Sequence, residues 1–271
     1  VVVEVGLKSE GLIPKEEFPN LSELKVGDTV DVLLESMEGE GGLIQLSKRK
    51  ADRQIAWQRI VDTTAEGASV NEVTIASNTI QATDSPGGSN IRIREKPDAS
   101  RPPGLFAISG NVIGSQENNV HLSGCYGIAL SGNTIYSCKH RNLLIEDSRL
   151  VNVSGNTFRR HTPDYGTGVR ITGSENITFT GCGIHDETDT GQPGLSALLE
   201  LAHCQRISIT GSQFIDGVIG VAATDCAHVT LTGNTLHDTR PVPVTKHAVQ
   251  FTGTSTGHLV ANNTIGKTSS D

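Results

Sequence analysis

The chain has 271 residues, 35% of them hydrophobic but only 4% aromatic, and a formal net charge of -8. No apolar run reaches the roughly 18 residues of a membrane-spanning helix. The five cysteines include no Cys-x-x-Cys pair and no zinc-like spacing, which excludes the common zinc-binding modules.

The acidity is uneven along the chain. Residues 1–70 carry 8 Lys+Arg against 13 Asp+Glu, net -5, which leaves 14 against 17, net -3, for the remainder. The first stretch predicts a strand over Val1 to Val5, a turn-rich passage ending at Lys25-Val-Gly-Asp28, and a strand from Thr29 to Leu34. A Gly-rich turn at Gly39 to Gly42 and a strand from Leu43 to Ser47 follow. Lys48 to Ile60 is predicted to be a helix, with Ala51, Ile55, Ala56 and Ile60 on one face.

Four phrases give this segment a family likeness: Val-Glu-Val-Gly at 3–6, Ser-Glu-Gly-Leu-Ile-Pro at 9–14, Leu-Lys-Val-Gly-Asp at 24–28 and Gly-Leu-Ile-Gln-Leu-Ser at 42–47. It resembles a repeat of ribosomal protein S1, an RNA-binding OB-fold barrel. The strands that open such a repeat have no counterpart before Val3, and Trp57 to Val70 resembles the start of a following repeat. The expectation is an incomplete OB-fold, read as a fragment or chimeric join. RNA binding is what the resemblance implies. Lys48, Arg49, Lys50 and Arg53 are candidates for phosphate contact and Trp57 for base stacking. The net charge of -5 argues against that role, and a solvated helix start is the plainer reading.

From residue 73 onward one phrase recurs, an apolar pair spaced by two followed by Asn-Thr-Ile or a variant. Its marker positions are 78, 111, 133, 156, 182, 212, 234 and 263, at intervals of 33, 22, 23, 26, 30, 22 and 29. A floor of 22 with irregular excess describes a fixed unit with insertions in its loops, the signature of a solenoid. The apolar spacing of two makes the units strands. A second strand opens with Asn, Gly or Ala at 90, 119, 168, 220 and 248. The prediction is an all-β, right-handed parallel β-helix of about eight coils over residues 71–271, following a distinct segment at 1–70.

This region resembles the parallel β-helix repeat proteins of the pectate-lyase-like superfamily, and its Ser-Gly-Asn-Thr-Ile phrase resembles their asparagine ladder. Asn78, Asn111, Asn133, Asn156, Asn234 and Asn263 are thereby expected inside bends, bonding backbone groups of adjacent coils. Asn suits a bend because it donates, accepts and tolerates left-handed φ. Cys125, Cys204 and Cys226 share a second register with Ser148, Ser174 and Thr254, and Cys182 takes a marker position. They are expected to be small buried ladder residues with free thiols, while Cys138 stands alone past a strand.

Function has to come from outward positions. Between the apolar pair of the later strand lie Arg92, His121, Leu144, Arg170, Glu200, Ala222 and Gln250. His121, Arg170 and Glu200 are candidates for lining a groove that takes an extended acidic polysaccharide; an ordinary wet sheet face is the plainer reading.

Four residues past each marker lie Ser137, Arg160, Asp186, Asp216 and Asp238. Three stacked aspartates repel unless something positive intervenes. Calcium bound by Asp186, Asp216 and Asp238 is one answer, and turn capping is another. The resemblance implies calcium-assisted β-elimination, with Arg160 and His185 beside the aspartates as candidate catalytic groups. The chain departs from that pattern: it lacks the Asp-Asp, Gly-His-Gly, Arg-Ile-Lys and Arg-x-Pro-x-x-Arg phrases of characterised enzymes. The segment from His185 to Pro193 is the densest run of titratable groups and the expected lip of a site.

The readings are therefore a polysaccharide lyase or hydrolase on the one hand and a non-catalytic scaffold or binding protein, with RNA on its S1-like segment, on the other. S1 repeats imply the cytoplasm and pectate-lyase-like proteins are commonly exported; no signal peptide is evident in the sequence.

Overall fold

The structure is a computed structural model, and it describes the chain except residues 6–9, 19–21, 23, 37–43, 56–70, 98–100, 161–167, 187–196, 267, 268, 270 and 271. The contacts divide the chain into two units, Val1–Ala68 and Ser69–Asp271.

In the first unit, Val2–Glu4 runs antiparallel to Glu10–Leu12, which lies parallel to Ile44–Ser47, which in turn pairs antiparallel with Leu33–Ser36. A small apolar centre of Ile13, Phe18 and Leu46 holds these strands, with Val1, Val3, Val5, Leu24, Val30, Val32 and Ile44 packed on it. The sequence placed the third strand four residues early. Val30 and Val32 do face the centre, but paired extended structure begins only at Leu33. Burial and ladder pairing are separate requirements, and alternation reports only the first. A helix occupies 48–55; the predicted turn at Gly39 to Gly42 and the helix end at Ala56 to Ile60 lie outside the described residues.

The second unit is a parallel β-solenoid built from in-register parallel strands. One sheet of eight stacks the strands that carry the apolar pairs, from Asn71–Ala76 through Tyr126–Ser131 and Glu175–Thr180 to Leu259–Ala261. The other sheet holds 13 strands, because two of its members, Val112–Ser123 and Thr134–Glu146, span both later strand positions of their coils without a break. They occupy the 22- and 23-residue intervals that start at Asn111 and Asn133; the other 22-residue interval, from Ser212, breaks into Gln213–Ile215 and Ile219–Thr224. Inward residues stack in register, as in Phe106, Ile128, Val151, Ile177, Ile207 and Val229. Phe158, Phe179 and Phe214 stack at 6.0 and 6.4 Å between centroids. Such aromatic contacts add about 0.5–1.5 kcal/mol each beyond burial.

The marker residues form one continuous ladder. The Asn78 N–H donates to Asn111 Oδ1 at 3.0 Å, Asn111 to Asn133 and Asn133 to Asn156 at 2.9 Å, and the rule holds from Ser212 to Asn234 and Asn234 to Asn263 at 3.0 Å. From Asn111 onward each Asn Nδ2 reaches back to a carbonyl of the coil before, as Asn133 does to Ile108 at 2.9 Å, while Asn78 on the first rung donates to Ala76 of its own coil. Where Cys182 and Ser212 replace Asn, the Cys182 N–H donates to Ser212 Oγ at 3.2 Å. The expected left-handed φ belongs to the preceding residue instead: Ser77, Gly110, Gly132, Gly155, Gly181, Gly211, Gly233 and Asn262 all have positive φ. That explains the Ser-Gly-Asn order, since glycine takes this conformation without a Cβ clash and leaves Asn free to bond.

The register of the cysteines also holds. Cys125 N–H donates to Ser148 Oγ and Ser148 N–H to Ser174 Oγ, both at 3.0 Å. Cys226 N–H, however, donates to Ser255 Oγ at 3.2 Å, not to Thr254. The last corner has one extra residue, and Thr254 instead donates its N–H to Asp225 Oδ1. A third ladder was not expected: Asn90 Nδ2 donates to Asn119 Oδ1 at 3.0 Å and Asn119 Nδ2 to Asn142 Oδ1 at 2.7 Å.

Candidate functional site

The later strands of successive coils pair residue for residue, so that Arg92, His121, Leu144, Arg170, Glu200, Ala222 and Gln250 lie on one line. Each is flanked by inward residues, buried throughout except beside Gln250, where Val249 and Phe251 are partly buried, and this aims these side chains outward. His121 Nε2 lies 2.7 Å from Glu146 Oε2, on the next coil and two residues further along the same outer face. Glu200 Oε2 accepts from Arg141 Nη2 at 2.8 Å and sits 4.0 Å from Arg170 Nε. Arg141 is nearly buried, whereas the Arg170 side chain is 42% exposed. Of these two arginines, Arg141 is the structural partner and Arg170 the loosely held, solvent-facing one. The predicted trio is thus two neighbours, Arg170 and Glu200, with His121 two coils away and Leu144 between. Arg141 and Glu146 are additions; Glu146 was readable, since it continues the outward alternation after Leu144.

The aspartate column does not present three carboxylates side by side to solvent. Asp186 and Asp238 are turned inward, 1% and 0% exposed. Arg160 Nε lies 2.9 Å from Asp186 Oδ1 in a pair that is buried on both sides. Asp238 accepts from the N–H groups of Val244 and Thr245 and the Thr245 hydroxyl on one oxygen, and from the Arg240 N–H on the other. Burial alone would raise its pKa, but these donors outweigh burial and hold the carboxyl below the usual range. Asp216, at φ 68, accepts the N–H and hydroxyl of Thr239. Arg240 spans all three positions, contacting the carbonyls of Asp186 and Asp216 and the Asp238 carboxylate.

Two guanidiniums and a set of backbone donors thus supply the positive charge for which calcium was the candidate. Among the described residues no group of three or more His, Cys, Asp and Glu could hold a metal ion. Arg240 was missed because it sits two residues beyond the repeat phrase, in a loop where the register no longer predicts neighbours.

His185 is half-buried on the short middle strand Gly183–His185, in line with Tyr136, Arg159, Ile215 and His237. Tyr136 lies over Gly114, where a Cβ would fall 2.4 Å from the ring. The segment expected to form a lip lies, past Asp186, outside the described residues.

In the first unit, the basic cluster is mostly engaged. Lys48 Nζ pairs with Asp52 at 2.7 Å and Lys50 with Glu35, while the Arg49 N–H donates to Glu17 and its guanidinium to the Glu16 carbonyl. Arg53 is exposed, and Trp57 lies outside the described residues.

With this geometry in place, the sequence matches the family described as a right-handed beta helix region, over residues 60–191 and again over 103–265. The chain belongs to that family. Its N-terminal part is similar to the small ribosomal subunit protein bS1 of Chlamydia muridarum, 51% identical over 71 residues, and to that of Rickettsia typhi, 47% identical over 60. These alignments cover 26% and 22% of this chain but only 12% and 10% of the relatives. Among solved structures, the β-helix chain is similar to the enzymatically active domain of a tailspike protein of bacteriophage CBA120. That match covers 74% of this chain and 42% of the other, at 11% identity and a TM-score of 0.29.

Proposed function

We propose that the outer face carrying His121, Glu146, Arg170 and Glu200 binds an extended acidic polysaccharide. The observation that carries this reading is the Arg141–Glu200–Arg170 arrangement, in which one carboxylate is gripped by a buried arginine and shared at 4.0 Å with a half-exposed one. A carboxylate on a sugar can take the free side of the Arg170 guanidinium without leaving Glu200 unpaired. Arg92 and His121 lie on the same line beyond Leu144, so a polymer lying along the coil stack meets a polar side chain on several rungs. Arginine suits this task because its planar fork matches a carboxylate.

A lyase or hydrolase is the enzymatic form of this proposal. Metal-assisted elimination through Asp186, Asp216, Asp238 and Arg160 is not supported, since Arg160 and Asp186 are committed to one another and Asp238 to backbone donors. The test is binding of polygalacturonate and alginate against a neutral glucan, with unsaturated-product absorbance followed with and without calcium. Retention of the acidic polymers by the wild type and its loss in Arg170→Ala is the expected result. Equal affinity for the neutral polymer would defeat the reading.

The likeness to bS1 supports a second, separate reading, RNA contact by the first unit through the exposed Arg53 and its basic neighbours. Filter binding of single-stranded RNA should then weaken as salt rises, and retention indifferent to salt would exclude a phosphate-based contact.

A further inference from the structure

Five cysteines are free and buried among the described residues, and only two of them occupy the same ladder on consecutive coils. Cys204 follows the strand Ala197–Ala202, and Cys226 follows Ile219–Thr224, which pairs with it in parallel register, Ala202 opposite Thr224. The Ala227 N–H donates to the Cys204 carbonyl at 2.9 Å, which fixes the two corners directly over each other. Both thiols point into the solenoid: Cys204 Sγ contacts the carbonyls of Ile171 and Ala202 at 3.3 Å, and Cys226 Sγ that of Thr224 at 3.2 Å.

We infer that Cys204 and Cys226 are a dithiol oxidised to an inter-coil disulfide by a small hydroperoxide. Parallel neighbours lie about 4.8 Å apart, inside the range of roughly 4.4–6.8 Å between Cα atoms that a disulfide tolerates. Side by side, the two thiols influence each other in opposite senses, the Cys226 pKa lowered with help from nearby His203 and the Cys204 pKa raised. Cys226, the thiol shifted downward, is assigned the first attack.

The reaction balances in two steps. The Cys226 thiolate attacks one peroxide oxygen, the O–O bond breaks, and hydroxide leaves and is protonated to water. Cys226 is then a sulfenic acid. Cys204 sulfur attacks Cys226 sulfur, the S–O bond breaks, and the departing hydroxide takes the Cys204 proton as a second water. Two thiols are oxidised and one hydroperoxide is reduced. A small oxidant is required because both sulfurs are buried.

The test is hydrogen peroxide titration of the whole chain at neutral pH, followed by alkylation, digestion without reductant and mass spectrometry. The expected product is a cross-linked pair of peptides containing Cys204 and Cys226, lighter by two hydrogens, restored by dithiothreitol. The oxidised protein should also melt several degrees higher, since a closed loop restricts the unfolded chain. Cys204→Ser and Cys226→Ser each remove the cross-link. Both variants are expected to fold, because Ser148 and Ser174 hold the same ladder position on earlier coils. In Cys204→Ser a sulfenic acid on Cys226 should be trapped by dimedone, and in Cys226→Ser none should appear on Cys204. The inference is overturned if both cysteines stay fully alkylatable, if the cross-link forms elsewhere, or if Cys204 is the residue trapped.

Discussion

Asn133→Ala tests whether the ladder stabilises the solenoid or merely decorates it. Asn133 is 1% exposed, and its Oδ1 accepts both the N–H and the Nδ2 of Asn111 at 2.9 Å. Its own Nδ2 donates to the Ile108 carbonyl at 2.9 Å. Alanine leaves the Asn111 backbone N–H and one side-chain amide hydrogen buried without their acceptor, while the Asn133 N–H keeps Asn156. At about 1–3 kcal/mol for each orphaned group the cost is about 4 kcal/mol. The control is Asn78→Ala at the exposed first rung. Asn78 donates to Ala76 and to Asn111 Oδ1, and Asn111 Oδ1 keeps the Asn78 N–H after truncation, so the loss should stay below about 1 kcal/mol. Asn133→Ser should recover roughly half the deficit, because Ser212 Oγ already accepts the N–H of Cys182 in this ladder. Urea unfolding followed by far-UV circular dichroism gives the midpoints, and amide exchange at Asn111 gives the local effect. A midpoint for Asn133→Ala no lower than that of Asn78→Ala, with the Asn111 amide still protected, would refute the reasoning.

Asp238 predicts an acid limb. Its folded pKa is depressed, so its contribution is complete above the unfolded value near 4 and is lost as pH falls through the folded one. Asp238→Asn should therefore melt lower at pH 7 and show a smaller further loss below pH ~4 than the wild type; parallel melting curves across that window would contradict it. Arg160→Met should cost about 3–5 kcal/mol by leaving the Asp186 carboxylate buried without its paired guanidinium. Adding Asp186→Leu should recover part of that loss in thermal denaturation, since replacing both partners of a buried pair is cheaper than removing one.

The stacking was legible because period-two alternation and a fixed corner phrase both answer to local constraints. Ile128 and Leu130 face inward for the same reason that Val151 and Val153 do, and one register then aligns whole columns, including His121, Arg170 and Glu200. The same register aligned Asp186, Asp216 and Asp238 but could not show which way they turned. That depends on loops such as 239–246, whose Arg240, Val244 and Thr245 come from outside the repeat and reach back into it. Arg141 illustrates the same limit. It precedes the strand alternation by two residues and meets Glu200 across 59 residues of sequence. A solenoid reports its core through repetition, but its chemistry lies where repetition fails, at insertions that bring unlike side chains to one corner. On the Arg170–Glu200 face the register itself sets the pair side by side and leaves Arg170 42% exposed, whereas Asp186 and Asp238 turn inward to Arg160 and to the Val244 and Thr245 N–H groups.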